Sequence, residues 1–180
     1  MSIQTPEWIP DHVMIDIETL GLEPGCAVLS IGAVEFGPDG LADTFERSIS
    51  LESCEAAGLT IDAATLEWWL DQDESVQDVL VGGDPLEEAL EDFSDWFPIG
   101  AKVWANAPSF DCSILEAAFE AVGMSEPWSF RDERCVRTLR SLPVAVDLDQ
   151  EGNTHDALDD AIHQARIVSE TLDRMERVIA

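Results

Sequence analysis

Four carboxylates and one imidazole stand where the local pattern asks for something else, and together they suit the holding of divalent cations beside a reacting phosphate. Asp16 and Glu18 interrupt the β-branched run HVMIDIETL at residues 12–20. Two apart on a strand, they point to one face with His12 and Met14, while Val13, Ile15, Ile17 and Thr19 share the other. Asp111 lies on one helical stripe with Leu115, Ala118 and Val122, at the N-terminal end of that apolar face. Asp160 falls beside the stripe Leu158, Ala161, Ile162, Ala165, Val168, Leu172, Met175 and Ile179, about 110° from its centre at roughly 100° per residue. Asp156 and Asp159 lie about 150° away and are expected to face solvent more fully. His155 comes just before them. Each residue also has an ordinary reading: a solvated strand face for Asp16 and Glu18, a first-turn acid favoured by the helix dipole for Asp111, a surface or capping residue for His155. Brought to one point by three separate elements, the carboxylates would repel one another unless cations neutralised them. Hard oxygen ligands of this kind select Mg²⁺ or Mn²⁺.

The elements that must position these groups follow from the periodicity. Residues 12–20, 27–36 and 41–50 read as three strands joined by the turns Gly21-Leu22-Glu23-Pro24-Gly25 and Gly37-Pro38-Asp39-Gly40, which suggests an antiparallel meander. The period then changes to helical over residues 62–80, and after Gly82-Gly83 a second helix opens at Asp84-Pro85 and runs to about Phe97. Residues 102–105 (KVWA) are a short buried strand, and Ser109 is placed to cap a helix that ends at Gly123. Residues 127–140 read as irregular and carry Arg131, Arg134, Arg137 and Arg140; an amphipathic helix closes the chain from about residue 154 to 179. The layout is mixed α/β.

With 180 residues the chain is expected to form one domain around one core. A hydrophobic fraction of 46% with 26% charged residues excludes a disordered acidic tail. No apolar run reaches the roughly 18 residues of a membrane span, and residues 1–10 lack the pattern of a secretion signal. Cys26, Cys54, Cys112 and Cys135 form no C-x-x-C pair, so a cytoplasmic setting, in a bacterium or a phage-infected host, is expected. The charge is extreme: 38 acids against 9 bases give −29, with Lys102 the one lysine. Such a field repels nucleic acid unless cations intervene. It is open to three readings, namely a surface suited to high salt, a mimic of DNA that occupies basic sites on other proteins, or a reservoir from which metal ligands are drawn.

Taken as a set, Asp16-Ile17-Glu18-Thr19, then Asn106 with Phe110-Asp111, then His155-Asp156-Ala157-Leu158-Asp159-Asp160 resemble the three motifs of the DEDDh 3′–5′ exonucleases, in the family's order. Finer features, DIETLGLEPG, Glu67-Trp68-Trp69, WANAPSFDCSILEAAF and RDERCVRTLR, are similar to phage exodeoxyribonuclease A and to the mycobacterial-type 3′–5′ exoribonucleases. The resemblance implies an RNase H-like fold with a mixed sheet, a three-strand antiparallel meander plus parallel strands, flanked by helices. It implies that Asp16, Glu18, Asp111 and Asp160 bind two ions, Mg²⁺ or Mn²⁺, and that His155 is the general base, the reaction being removal of nucleoside 5′-monophosphates from a 3′ end of DNA or RNA. Thr19 and Leu20 match residues that contact the terminal nucleotide and wedge against its base, with Asn106 and Phe110 beside them. Trp68 or Trp69 could stack a base, one ring of the pair being expected in the core. Arg134 and Arg137 could meet phosphate or instead pair with Asp132 or Glu133. Single-stranded or 3′-overhang nucleic acid is the expected partner, and a homodimer is implied by the habit of the relatives. Two alternatives stay open: an oligoribonuclease-like action on very short RNA, and a non-catalytic acidic DNA mimic or interaction protein.

Overall fold

A computed structural model describes residues 12–38, 40–150, 152 and 155–179. Its framework is one five-stranded sheet in the order β3-β2-β1-β4-β5. The first three strands, β1 (His12–Thr19), β2 (Val28–Gly37) and β3 (Gly40–Ser48), form the expected antiparallel meander, and β4 (Lys102–Ala105) runs parallel to β1. A fifth strand, β5 (Glu133–Cys135), pairs parallel with β4 inside the segment expected to be irregular. Three residues flanked by charge carry no readable period; pairing with β4 supplies what the local pattern lacks.

The alternation read along β1 divides two cores. Val13, Ile15 and Ile17 pack with Val103, Leu86, Leu90, Phe93, Leu115 and Phe119 on one face of the sheet. These partners come from β4, from α4 (Leu86–Trp96) and from α5 (Asp111–Ala121). Met14 joins Val34, Phe36 and Trp104 on the other face, under Ala161, Ala165 and Val168 of α7 (Ala157–Ile179). The face of β1 that carries Asp16 and Glu18 is therefore covered by α7 at Met14 and only partly shielded from water at the two acids.

Gly32 determines how close that helix comes. It lies opposite Asp16 in the β1–β2 register, and a Cβ placed on it would fall 2.2 Å from the backbone carbon of Ala157 and the backbone nitrogen of Leu158. A residue with no side chain is what lets the first turn of α7 rest on the sheet.

Several helical expectations are corrected. The single helix expected over residues 62–80 is broken into α2 (Ala63–Leu70), α3 (Glu74–Gln77) and a 3₁₀ turn at Asp78–Leu80. Gln72 Nε2 donates to the Trp68 carbonyl at 2.9 Å, and Gln77 Nε2 donates to the Leu70 and Gln72 carbonyls, so side-chain amides take over where the backbone ladder stops. A further short helix, α1 (Leu51–Ala56), follows β3, and α6 (Val136–Arg140) follows β5. Ser109 does not cap α5: Phe110 holds the N-cap position and makes no side-chain bond there, the Asp111 N–H reaching the Ala107 carbonyl instead. Gly123, at φ 77°, follows the end of α5 as expected. The start near residue 154 expected for the last helix lies outside the described residues, as does the segment before His12. No helix among the described residues is long and apolar enough to cross a membrane.

Candidate active site

Asp16 and Glu18 leave the C-terminal half of β1 on the face that α7 covers, and Asp160 enters from the first turns of α7. Carboxylate oxygens of these three residues lie within 4.8 Å of one another. Asp111, at the start of α5, stands just outside that group, and its charge acts on both Asp16 and Glu18. Its position follows from the way the sheet opens. β1 and β4 pair only as far as Met14 and Trp104, so the Ile17 N–H beyond that point is left for another acceptor. Asp111 supplies it, accepting from the backbone N–H groups of Ile17 and Asn106, with its side chain almost fully buried.

Burial and mutual repulsion push these acids toward their neutral forms. Asp16 is held well above the usual carboxylate range by loss of hydration, and further by Asp111, Glu18 and Asp160. Glu18 is raised to about 8, first by burial and then by Asp160 and Asp111. Asp111 is raised to about 7 by burial, its backbone hydrogen bonds and the charge of Arg137 working against the rise. Asp160 is raised by burial, opposed by the Gln150 side-chain amide and the His155 backbone N–H, both of which donate to it. A partly buried set of hard oxygen donors that destabilise one another is the donor chemistry of a divalent cation site, and the residues present fit such an ion.

The sign of the resulting pH dependence is fixed. Acids whose folded pKa lies above the unfolded one lend relative stability below the unfolded value and lose it as pH rises through the folded one. For Glu18 and Asp111 that window runs from their ordinary values, 4.5 and 3.8, to about 8 and about 7. Chelator-treated protein should lose on the order of a few kcal/mol of unfolding free energy between about pH 4 and pH 8. Added Mg²⁺ should restore most of it, and Glu18→Gln should flatten the slope. Urea melts at pH 5 and pH 8, with and without metal, measure this; equal slopes in the wild type and Glu18→Gln would show that the loss arises elsewhere on the acidic surface.

His155 stands exposed at the entrance of α7 with φ 66°. Its ring meets Trp68 edge to face at 4.9 Å between centroids, and Trp69 at 6.2 Å. The two tryptophans are placed differently, one ring in the core and one exposed. Trp69, at 1% exposure, is a core residue whose Nε1 donates to the Thr19 carbonyl at 3.0 Å, pinning α2 to the end of β1. It is not available to stack on a base; Trp68, 43% exposed, is. With Ile17, Glu18, Thr19, Leu22, Thr65, Trp69 and Phe110 it lines a cleft of about 460 Å³ beside the carboxylates. His155 itself lines a second cleft, of about 540 Å³, together with Glu46, Asp73, Asp78 and Asp156.

Other expected contacts are relocated. Leu20 is fully buried in the core and cannot wedge against a base, because the extended chain at the end of β1 turns it inward. Leu22, 72% exposed, takes the position at the cleft. The Thr19 hydroxyl is spent inside the turn, donating to the Gly21 carbonyl at 2.7 Å. Asn106 acts through its backbone, its N–H on Asp111 and its carbonyl on Arg137, while its side-chain oxygen is buried without a hydrogen-bond partner. Arg137 Nη2 donates to the Asn106 carbonyl at 3.1 Å, and Arg134 Nη1 donates to the carbonyls of Arg131 and Glu133. Of the two acids offered as partners, Asp132 or Glu133, Asp132 is instead 2.5 Å from Lys102. Asp156 and Asp159 are half-buried rather than solvated, and the Asp156 side chain accepts from the Asp159 N–H at 3.0 Å, capping α7.

Three solved structures share the fold. The nuclease domain of 3′hExo, described as a DEDDh family member bound to rAMP, superposes with a TM-score of 0.61 at 15% identity, covering 94% of both chains. A full-length 3′-exonuclease gives 0.60 at 14% identity over 96% of this chain and 63% of its own. Cell-death related nuclease 4 (CRN-4) gives 0.51 at 12% identity over 91% of this chain and 64% of its own. The chain thus spans less than two thirds of these last two proteins. No curated protein sequence matches it. The family model of the Rv2179c-like 3′-5′ exoribonuclease domain matches residues 11–172, so the chain belongs to that family and is a hydrolytic 3′–5′ exonuclease that depends on divalent metal.

Proposed function

We propose that the protein removes nucleoside 5′-monophosphates from the 3′ end of single-stranded or 3′-overhang RNA, using two ions, Mg²⁺ or Mn²⁺, held by Asp16, Glu18, Asp111 and Asp160. The observation that carries this reading is the convergence of Asp16, Glu18 and Asp160 oxygens within 4.8 Å, with Asp111 beside them. When bound, such a pair of cations lowers the pKa of water, orients a phosphate and steadies a departing 3′ oxygen. The remaining roles fall to the chain itself. His155, reached from solvent and flanked by Trp68, is the group that takes the proton from the attacking water. Leu22, Trp68 and Phe110 offer apolar surface for the terminal base, next to Glu18 in the same cleft. RNA is favoured over DNA by the family's description as exoribonucleases.

A net charge of −29 favours short substrates, since each added phosphate away from the cations meets the same repulsive field. Two ions contribute about +4 against it, which leaves the long-range field repulsive. The test is product analysis of 5′-labelled RNA and DNA of increasing length, in Mn²⁺ and in EDTA. Metal-dependent shortening from the 3′ end, with RNA cut faster than DNA and short chains faster than long ones, is the expected result. Cleavage of no strand under any metal would overturn the catalytic reading, and equal rates on RNA and DNA would overturn the substrate assignment.

A further inference from the structure

Gln164 is a buried polar residue of α7 that lies beside the helix's apolar stripe. Its neighbours Ala161, Ala165 and Val168 are fully buried against Met14, Val34 and Phe36, and Gln164 itself is 9% exposed. One of its two polar atoms is used: Nε2 donates to Asp16 Oδ1 at 2.8 Å. The other, Oε1, is buried and has no hydrogen-bond partner. A buried amide left half satisfied costs roughly 1–3 kcal/mol, whereas a leucine or methionine of similar volume would pack here at no such cost. Fold stability does not account for a glutamine at this place.

The neighbourhood of Asp16 does. Glu18, Asp111 and Asp160 surround it with negative charge, and the amide of Gln164 is a donor aimed at it from the helix side. Asp160 and Gln164 are four residues apart, so they stack on one side of α7 and reach the strand together. The short spacing between helix and strand set by Gly32 puts that amide within reach. We infer that Gln164 is a positioning residue for Asp16: by holding Oδ1 it fixes the rotamer of the carboxylate and presents the other oxygen to the cation-binding cluster. Groups that orient a metal ligand in this way are worth about 10- to 100-fold in metal affinity or activity. The inference rests on the reading of Asp16 as a metal ligand.

The experiment titrates Mn²⁺ into the full chain by calorimetry, without substrate, for the wild type, Gln164→Leu, Gln164→Met and Asp16→Ala, with kcat, KM and the melting temperature in EDTA measured alongside. Gln164→Leu and Gln164→Met should weaken Mn²⁺ binding about 10- to 100-fold and lower kcat by a similar factor. KM should change little, and the melting temperature in EDTA should hold or rise. A residue that served packing would do the reverse, lowering the melting temperature and leaving Mn²⁺ affinity intact, and that outcome in the folded variants overturns the inference. If Asp16→Ala itself binds Mn²⁺ like the wild type, the metal-ligand reading of Asp16 fails, and the inference falls with it. Methionine, unbranched and flexible, provides a folded variant if leucine is not tolerated.

Discussion

Asp16→Ala should leave a protein that folds more stably than the wild type in EDTA and degrades nothing. Both halves follow from the same crowding. Asp16 is buried among Glu18, Asp111 and Asp160, and its carboxyl is pushed well above the usual range by lost hydration and by their charge. Removing it relieves that repulsion, so the metal-free protein should gain on the order of 1–2 kcal/mol even after the small cavity is counted. The same removal takes away the carboxylate at the centre of the donor set, and turnover should fall by roughly 10³-fold or more at any metal concentration, the scale of losing a group that acts on the transition state. Urea melts in EDTA together with single-turnover assays on 5′-labelled RNA decide the matter. A variant that keeps measurable turnover at saturating Mn²⁺ would remove Asp16 from the catalytic set. One that is dead and less stable would mean that the residue holds the fold.

Gly32→Ala should be nearly as damaging without touching a single charged group. The added methyl would fall 2.2 Å from backbone atoms of Ala157 and Leu158, and neither partner is a side chain that can swing aside. The first turn of α7 must lift away from β2, at a cost of about 1–3 kcal/mol for the overpacking and more if the underlying core opens. Asp160 and His155 travel with that turn, while Asp16 and Glu18 stay with β1. A displacement near 1 Å at a catalytic centre costs about 10²-fold in rate, so kcat should drop by that order, with the melting temperature lowered and Mn²⁺ binding weakened together. A Gly32→Ala protein with wild-type kcat would show that α7 does not have to sit this close.

These two positions differ in how readily a sequence yields them. The alternation of β1 was legible because a strand sorts its residues with period two, and the division of Val13, Ile15 and Ile17 from Met14, Asp16 and Glu18 is the division between the two cores. The apolar stripe of α7 and the antiparallel meander were legible for the same reason, since periodicity is a local property. Gly32 was not, because the need for it arises from a helix that begins more than a hundred residues later. The exchange of Leu20 for Leu22 at the cleft, and the choice between Trp68 and Trp69 that the sequence left open, have the same origin: nearby positions of the same type are told apart by which way a turn or helix faces a distant neighbour. β5 escaped notice because three residues are too few to show a period. Gln164 was not legible either: it falls at the edge of the apolar stripe, where a polar residue is ordinary, and only the packing against β1 shows that it is buried beside Asp16.

Two very different clefts lie near His155. One, with Leu22, Trp68 and Phe110, suits the flat face of a base; the other presents Glu46, Asp73, Asp78 and Asp156. For a polymer bearing one negative charge per nucleotide, the second cleft is a wall. On the proposed function, a strand continuing past the carboxylates into that cleft would bring its phosphates against these acids. The acidic cleft repels such a strand, and so favours a free end over an internal bond.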